Sequence, residues 1–177
     1  MHGFVRDRIL PTQARTPRRV HFNSWEGVYF DVDEANAMAL ADAAAALGCE
    51  RFVLDDGWFK GRRNDASSLG DWTPDPDRFP RGLEPLITHV KAAGMDFGLW
   101  IEPEMVSPQS DLFRAHPEWA LALPGAPMET MRGQLALDLS NSAVRAHLFG
   151  VIDGLLRAQD IGYLKWEHQR WGARGWA

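Results

Sequence analysis

The densest chemistry in this sequence lies in the stretch Ile161–Arg170, Ile-Gly-Tyr-Leu-Lys-Trp-Glu-His-Gln-Arg. Its first part reads as a short apolar strand, Tyr163–Trp166. Lys165 and Glu167 flank Trp166, and strand residues two apart point to the same face. An ammonium and a carboxylate would then sit together at the strand's carboxyl end, beside a large aromatic ring. The neighbouring cation favours the ionised acid. That state suits a nucleophile or an electrostatic stabiliser better than a proton donor. The plainer reading is a surface ion pair on an edge strand, since such pairs are common and contribute little.

Acids and indole rings recur along the chain. Leu54-Asp55-Asp56-Gly57-Trp58-Phe59 puts two adjacent carboxylates after an apolar run. Burying both is costly unless they bind something. A bend at Gly57 is needed to bring both into one pocket, because successive strand residues face opposite sides. Eight tryptophans is high for 177 residues, and Trp25, Trp58, Trp72, Trp100 and Trp166 each lie close to an acidic residue. A ring face packs on the C–H face of a sugar while carboxylates bind its hydroxyls. Any single tryptophan can equally fill a core. Glu102 and Glu104 read as braces of a loop. Asp71 and Asp138 read equally well as turn or capping residues, and Arg170 as a partner for Glu167.

The elements that must position these residues alternate in type. A strand is expected over Val20–Trp25. A helix follows over Glu34–Leu47, rich in alanine, capped by Asp31 or Asp33 and stopped by Gly48. Arg51–Leu54 reads as a buried parallel strand, and Lys60–Pro80 as a long functional loop. Next come a helix over Leu83–Ala93 and a strand over Asp96–Ile101, which must stop before Pro103. A short helix over Pro108–His116, a loop over Pro117–Thr130 and a strand-like stretch over Gln134–Leu139 lead to a helix from Ser140 or Asn141 to Ala158. Alternating β and α units imply an α/β fold with a parallel sheet and helices outside. Acid and tryptophan at the strand ends point to a (β/α)8 (TIM) barrel, where sites lie at the strands' carboxyl ends. A doubly wound open sheet is the alternative, but no glycine-rich phosphate loop follows the first strand.

Bulk properties narrow the partners. A net charge of −5 argues against nucleic acid. No apolar run approaches the ~20 residues that span a membrane. Met1–Arg19 has no apolar segment of the kind a secretory signal needs, and reads as a basic lead-in linker. The single cysteine, Cys49, excludes an internal disulfide framework and favours a reducing, cytoplasmic compartment. It reads as a buried structural thiol. His21, His89, His116, His147 and His168 are scattered without metal-ligand spacing, so neither a metal nor another cofactor is expected.

With these motifs in hand, the chain resembles glycoside hydrolase family 36, the α-galactosidases and their raffinose-family relatives. The matching stretches are Asn23-Ser24-Trp25-Glu26, Leu54–Phe59, Gly70-Asp71-Trp72 with Phe79–Leu83, Gly98–Ser107, Leu137–Ser140 and Tyr163–Trp166. They span about Arg19 to Arg170. The resemblance implies a retaining α-galactosidase on a (β/α)8 barrel, acting on α-galactoside oligosaccharides of the melibiose and raffinose type. It matches Asp55 and Asp56 to acids that bind galactose hydroxyls, Trp25 and Trp100 to pocket walls, and Lys165 to a sugar-binding lysine. Glu167 stands where the family places its aspartate nucleophile. The second carboxyl of a retaining enzyme lies ~5–5.5 Å from the first, and the family carries it on a later strand, beyond the residues of this chain.

Three departures shape the expectation. Glu167 replaces aspartate and Gln169 stands where the family has asparagine; a misplacement of ~1 Å can cost ~10²-fold in rate. Trp171–Ala177 does not resemble the family's continuation, which suggests a truncated or frame-shifted tail. About four β/α units, residues 20–170, make only part of a barrel that takes ~250 residues. Each open sheet edge would offer unpaired backbone and an apolar inner face, so self-association is expected. The inherited function is α-galactoside hydrolysis, with little or no turnover by the chain alone. The alternatives are a galactoside-binding or structural remnant, and a transglycosylase of the raffinose-synthase type.

Overall fold

The computed structural model of the chain describes residues 2–9, 17–122, 127–128, 130 and 132–168. Its main sheet has four strands in the order β1 (His21–Asn23), β2 (Arg51–Leu54), β3 (Asp96–Ile101) and β6 (Tyr163–Trp166), all parallel. A parallel pair needs a crossover, usually helical. Here α3 (Glu34–Ala46) links β1 to β2, α4 (Glu84–Ala92) links β2 to β3, and α6 (Ser142–Ala158) leads into β6. The described residues are therefore α/β, a partial (β/α)8 barrel of four parallel strands joined by three helical crossovers. A two-stranded antiparallel ribbon, β4 (Met105–Val106) with β5 (Leu135–Ala136), stands apart from the sheet. Short helices α1 (His2–Phe4), α2 (Trp25–Val28) and α5 (Asp111–Ala115) complete the elements used below.

Local chemistry explains the boundaries. In α3 an alanine-rich run is closed at its amino end by a reciprocal pair: Asp33 accepts from the Asn36 backbone, and the Asn36 side chain accepts from the Asp33 backbone. Gly48, at φ 81°, ends it. Asn141 caps α6 by accepting from the Ala143 N–H. The strands β2, β3 and β6 coincide with the expected stretches. The first strand is shorter than expected: Asn23 Oδ1 accepts from the Trp25 N–H and the Ser24 carbonyl from Gly27 and Val28, so the chain turns into α2. Trp25 thus lies on a helical turn instead of a strand. Of Gln134–Leu139 only Leu135–Ala136 pairs regularly, because its partner is the two-residue β4. Residues 2–9 form helical turns within the lead-in expected to be irregular. The expectations for Gln169, Arg170 and the tail 171–177 lie outside the described residues.

Register separates two faces, since cross-strand partners point the same way. On one face Phe22, Phe52 and Phe97 align, then Leu54, Leu99 and Leu164. They pack against Ala37, Ala41 and Ala44 of α3 and Leu86, Ile87 and Val90 of α4. Burying each of the larger side chains contributes roughly 1.5–3 kcal/mol, which holds the helices to the outside. The opposite face carries Asn23, Val53, Gly98 and Tyr163 in one row. Below it lie His21, Arg51 and Asp96, with Arg51 2.8 Å from Asp96 and 4.4 Å over the Tyr163 ring. The inner face is thus largely polar, in contrast to the apolar one expected. The greasy surface of these strands is on the outside, under the chain's own helices.

Candidate active site

Above Val53 and Gly98 on the inner face come Asp55, Trp100 and Lys165. The register that pairs Leu54 with Leu99 and Trp100 with Lys165 sets the three side by side at the strands' carboxyl ends. Asp55 is 3% exposed. Its Oδ2 accepts from Asn23 Nδ2 at 2.6 Å and from Lys165 Nζ at 2.7 Å, while Ser24 Oγ accepts from its backbone N–H. Three strands therefore converge on one carboxylate.

Asp56 would face away if the strand continued. Gly57 turns the chain at φ 102° instead, and a Cβ there would come within 3.2 Å of Val32 and 3.3 Å of the Phe30 backbone. Only glycine combines that conformation with that approach. The bend brings Asp56 to the same mouth, where its carboxylate meets a buried guanidinium. Arg62 donates Nε to Oδ1 at 2.9 Å and Nη2 to Oδ2 at 2.8 Å. Burial pushes the Asp56 carboxyl above the ordinary aspartate value, and the Arg62 fork pulls it part of the way back.

Trp100 is 2% exposed and forms the back wall. Its ring lies among Phe59 and Trp72, and its indole Nε1 donates to Glu167 Oε2 at 2.6 Å. Glu167 extends the β6 ladder by donating its N–H to the Ile101 carbonyl. The ammonium of Lys165 pairs with Asp55, and the Glu167 carboxylate is held by the indole; the expected side-by-side pair of Lys165 with Glu167 is replaced by this exchange of partners. Trp25 stands at the rim, edge-on to Tyr29 and Phe30.

Trp25, Asp55, Asp56, Trp100, Lys165 and Glu167, all singled out from the sequence, line one cavity. Arg62, Glu102 and Arg132 join them. The signal for Arg62 was the unmet need of a second buried acid for a cation, with a basic pair in the loop just downstream. Arg132 has no such signal: it arrives through a turn in which Arg132 and Gly133 both have positive φ. Glu102, expected to brace a loop, is 1% exposed and lines the cavity. Glu104 is the brace, accepting from Trp166 Nε1 and pairing with His168. Asp71 accepts from the Asp111 and Leu112 N–H groups at the start of α5, and Asp138 from Ser140. Both are capping or turn residues. Cys49 is half-buried against the core.

The mouth thus offers fixed carboxylate acceptors, a lysine donor and indole faces, a set matched to a neutral ligand with many hydroxyls. Among the described residues no group of three or more His, Cys, Asp or Glu is placed to hold a metal ion.

A parallel sheet with outside helices and a polar mouth at its strands' carboxyl ends defines the class: part of a (β/α)8 barrel with its site in the usual place for that fold. The Melibiase family model matches residues 1–173, and the chain belongs to the Melibiase family. It is 46% identical over 169 residues to an α-galactosidase of Escherichia coli, covering 96% of this chain and 24% of that protein. Among solved structures it is similar to the family 36 α-galactosidase AgaA of Geobacillus stearothermophilus, in a variant bound to raffinose. That match has a TM-score of 0.89 at 41% identity and covers 93% of this chain and 23% of that one. Another AgaA variant, bound to stachyose, matches with a TM-score of 0.89 at 42% identity, over 93% of this chain and 23% of that one. The chain spans about a quarter of the length of these relatives.

Proposed function

We propose that the cavity is the galactose-binding part of a retaining α-galactosidase site, and that the whole protein hydrolyses terminal α-galactosides. The observation that carries this reading is the convergence of Asp55, Asp56, Trp100 and Lys165 on the cavity that also holds Glu167. Asp55 and Asp56 accept from sugar hydroxyls, Lys165 donates to one, and Trp25 and Trp100 wall the ring. Glu167 occupies the position of the nucleophile. The raffinose and stachyose bound by its structural relatives support oligosaccharides of that kind as substrates. Residues 20–170 are read as one catalytic segment preceded by a linker over 1–19, and the family match, from 1 to 173, takes in the first part of the stretch 171–177.

The isolated chain binds without turnover in this reading. Retention needs a second carboxyl ~5–5.5 Å from the first, to protonate the leaving group and then activate water. The 2.6 Å hydrogen bond from Trp100 also draws the Glu167 carboxylate onto the wall of the cavity. That contact favours a galactoside-binding remnant as the second reading for the chain by itself. Calorimetric titration with galactose, run beside a chromogenic α-galactoside assay, tests both. Binding with no turnover supports the proposal; robust turnover by the chain alone overturns the claim of inactivity, and absence of binding overturns the sugar reading.

A further inference from the structure

Two adjacent acids share the mouth, and each is given its own cation. Asp55 takes Lys165; Asp56 takes Arg62. Arg62 is 1% exposed, and its guanidinium lies between the rings of Phe30 and Phe59, 5.4 and 5.6 Å away. Its Nη1 donates to the Asp65 and Ser67 carbonyls, both at 2.9 Å. With Nε and Nη2 on Asp56, four of its roughly five N–H groups are engaged, so little of it is left to meet a ligand. The same loop reaches the far side of the mouth: Asp65 Oδ1 is 2.5 Å from Arg132 Nη2, and the Asp65 carbonyl also accepts from Gln134 Nε2. Contact there is close, since a Cβ on Gly133 would lie 2.8 Å from that of Ala66.

We propose that Arg62 is the positioning residue of the site: its fork fixes the Asp56 carboxylate, and its grip on the Asp65 and Ser67 carbonyls sets where the loop holds Arg132. The inference rests on the galactoside reading for its ligand, but the geometry of Asp56 and Arg62 stands without it. The charged groups around Asp56 are Asp55, Arg62, Glu102, Arg132, Lys165 and Glu167. Arg62 alone among them contacts the Asp56 carboxylate through two nitrogens. A lysine keeps the charge and loses the fork. Methionine keeps most of the volume and loses both.

The test uses the full chain, with Arg62→Met and Arg62→Lys. The titration of the Asp56 carboxyl carbon is followed by NMR, and galactose affinity is measured by calorimetry. Arg62→Met moves the Asp56 midpoint up, because the lowering influence of the guanidinium is lost. Its galactose affinity falls as pH drops through the raised Asp56 midpoint, and this fall begins at a higher pH than in the unmodified chain. Arg62→Lys restores the pH profile but binds about tenfold more weakly at every pH. An unmoved Asp56 midpoint in Arg62→Met, or unaltered affinity in Arg62→Lys, overturns the proposal. If Arg62→Met does not fold, Arg62→Lys decides: weaker binding at an unchanged melting temperature supports the assignment, and equal binding refutes it. Should the unmodified chain bind no galactose, the sugar reading fails, and the Asp56 midpoints still decide the role of Arg62.

Discussion

Lys165 Nζ lies 2.7 Å from Asp55 Oδ2, across 110 residues of sequence. The pair joins β6 to the end of β2 with β3 between them, so it orders the mouth as well as charging it. Lys165→Met should weaken galactose binding about tenfold or more, the scale of one lost hydrogen bond to a charged group. Asp55 keeps its Asn23 donor, so the loss of stability should be smaller than for a bare buried acid. Calorimetry and a denaturant titration on the same sample separate the two effects.

The chemistry at residue 167 makes a second prediction. The purified chain should release no measurable nitrophenol from p-nitrophenyl α-galactoside, and Glu167→Asp should leave that unchanged, because the proposed reading assigns none of these residues as the acid/base of a retaining mechanism. In a complete family member, glutamate at the matching aspartate should lower kcat about 10²-fold. Nitrophenol release is the readout in each case. Turnover gained by Glu167→Asp alone would contradict the account.

Gly98 of β3 pairs with Tyr163 of β6 and Val53 of β2 on the inner face. A Cβ there would lie 2.9 Å from Tyr163 Cδ1 and 3.1 Å from Val53 Cγ2. Gly98→Ala should destabilise the fold by about 1–3 kcal/mol through overpacking. It should also displace Tyr163 and, two residues on, Lys165. A lowered denaturation midpoint together with weaker galactose binding is the expected result.

Acid should weaken the long loop through Asp75. Burial alone would raise this carboxyl, but Arg63 at 2.5 Å and the Asp77 and Gly61 N–H groups hold it below the ordinary value of 3.8. A group depressed on folding contributes stability above its unfolded value, and that contribution is lost as pH falls through the folded one. Asp75→Asn should therefore melt lower at neutral pH and lose less stability than the unmodified chain below about pH 4. Melting temperatures across that range check the sign.

Much of the fold is legible because strand ends are marked chemically. Gly48, Gly94 and Pro103 punctuate the chain where elements stop, and β2 and β3 carry the apolar runs Phe52–Leu54 and Leu99–Ile101. The short first strand was not legible: Asn23 and Ser24 turn the chain only through hydrogen bonds to Trp25 and to the end of β2. The polar inner face was hidden for a related reason. His21, Arg51 and Asp96 lie far apart in sequence, and only the parallel register sets them in one row. In the site, Asp55, Asp56, Trp100 and Lys165 could be found because acid beside indole at a strand end is a local pattern. Partner choice is not local. Whether Lys165 meets Glu167 or Asp55 depends on the stagger of three strands, and Arg132 depends on where a distant loop comes to rest.

The central claim is that these side chains form one seat for galactose, and a titration of the full chain with galactose in a calorimeter tests it most directly. The account predicts saturable one-to-one binding that Asp55→Asn removes while the fold, read by its melting transition, survives. A chain that melts cooperatively yet gives no heat with galactose, or an Asp55→Asn variant that binds it equally well, would contradict it.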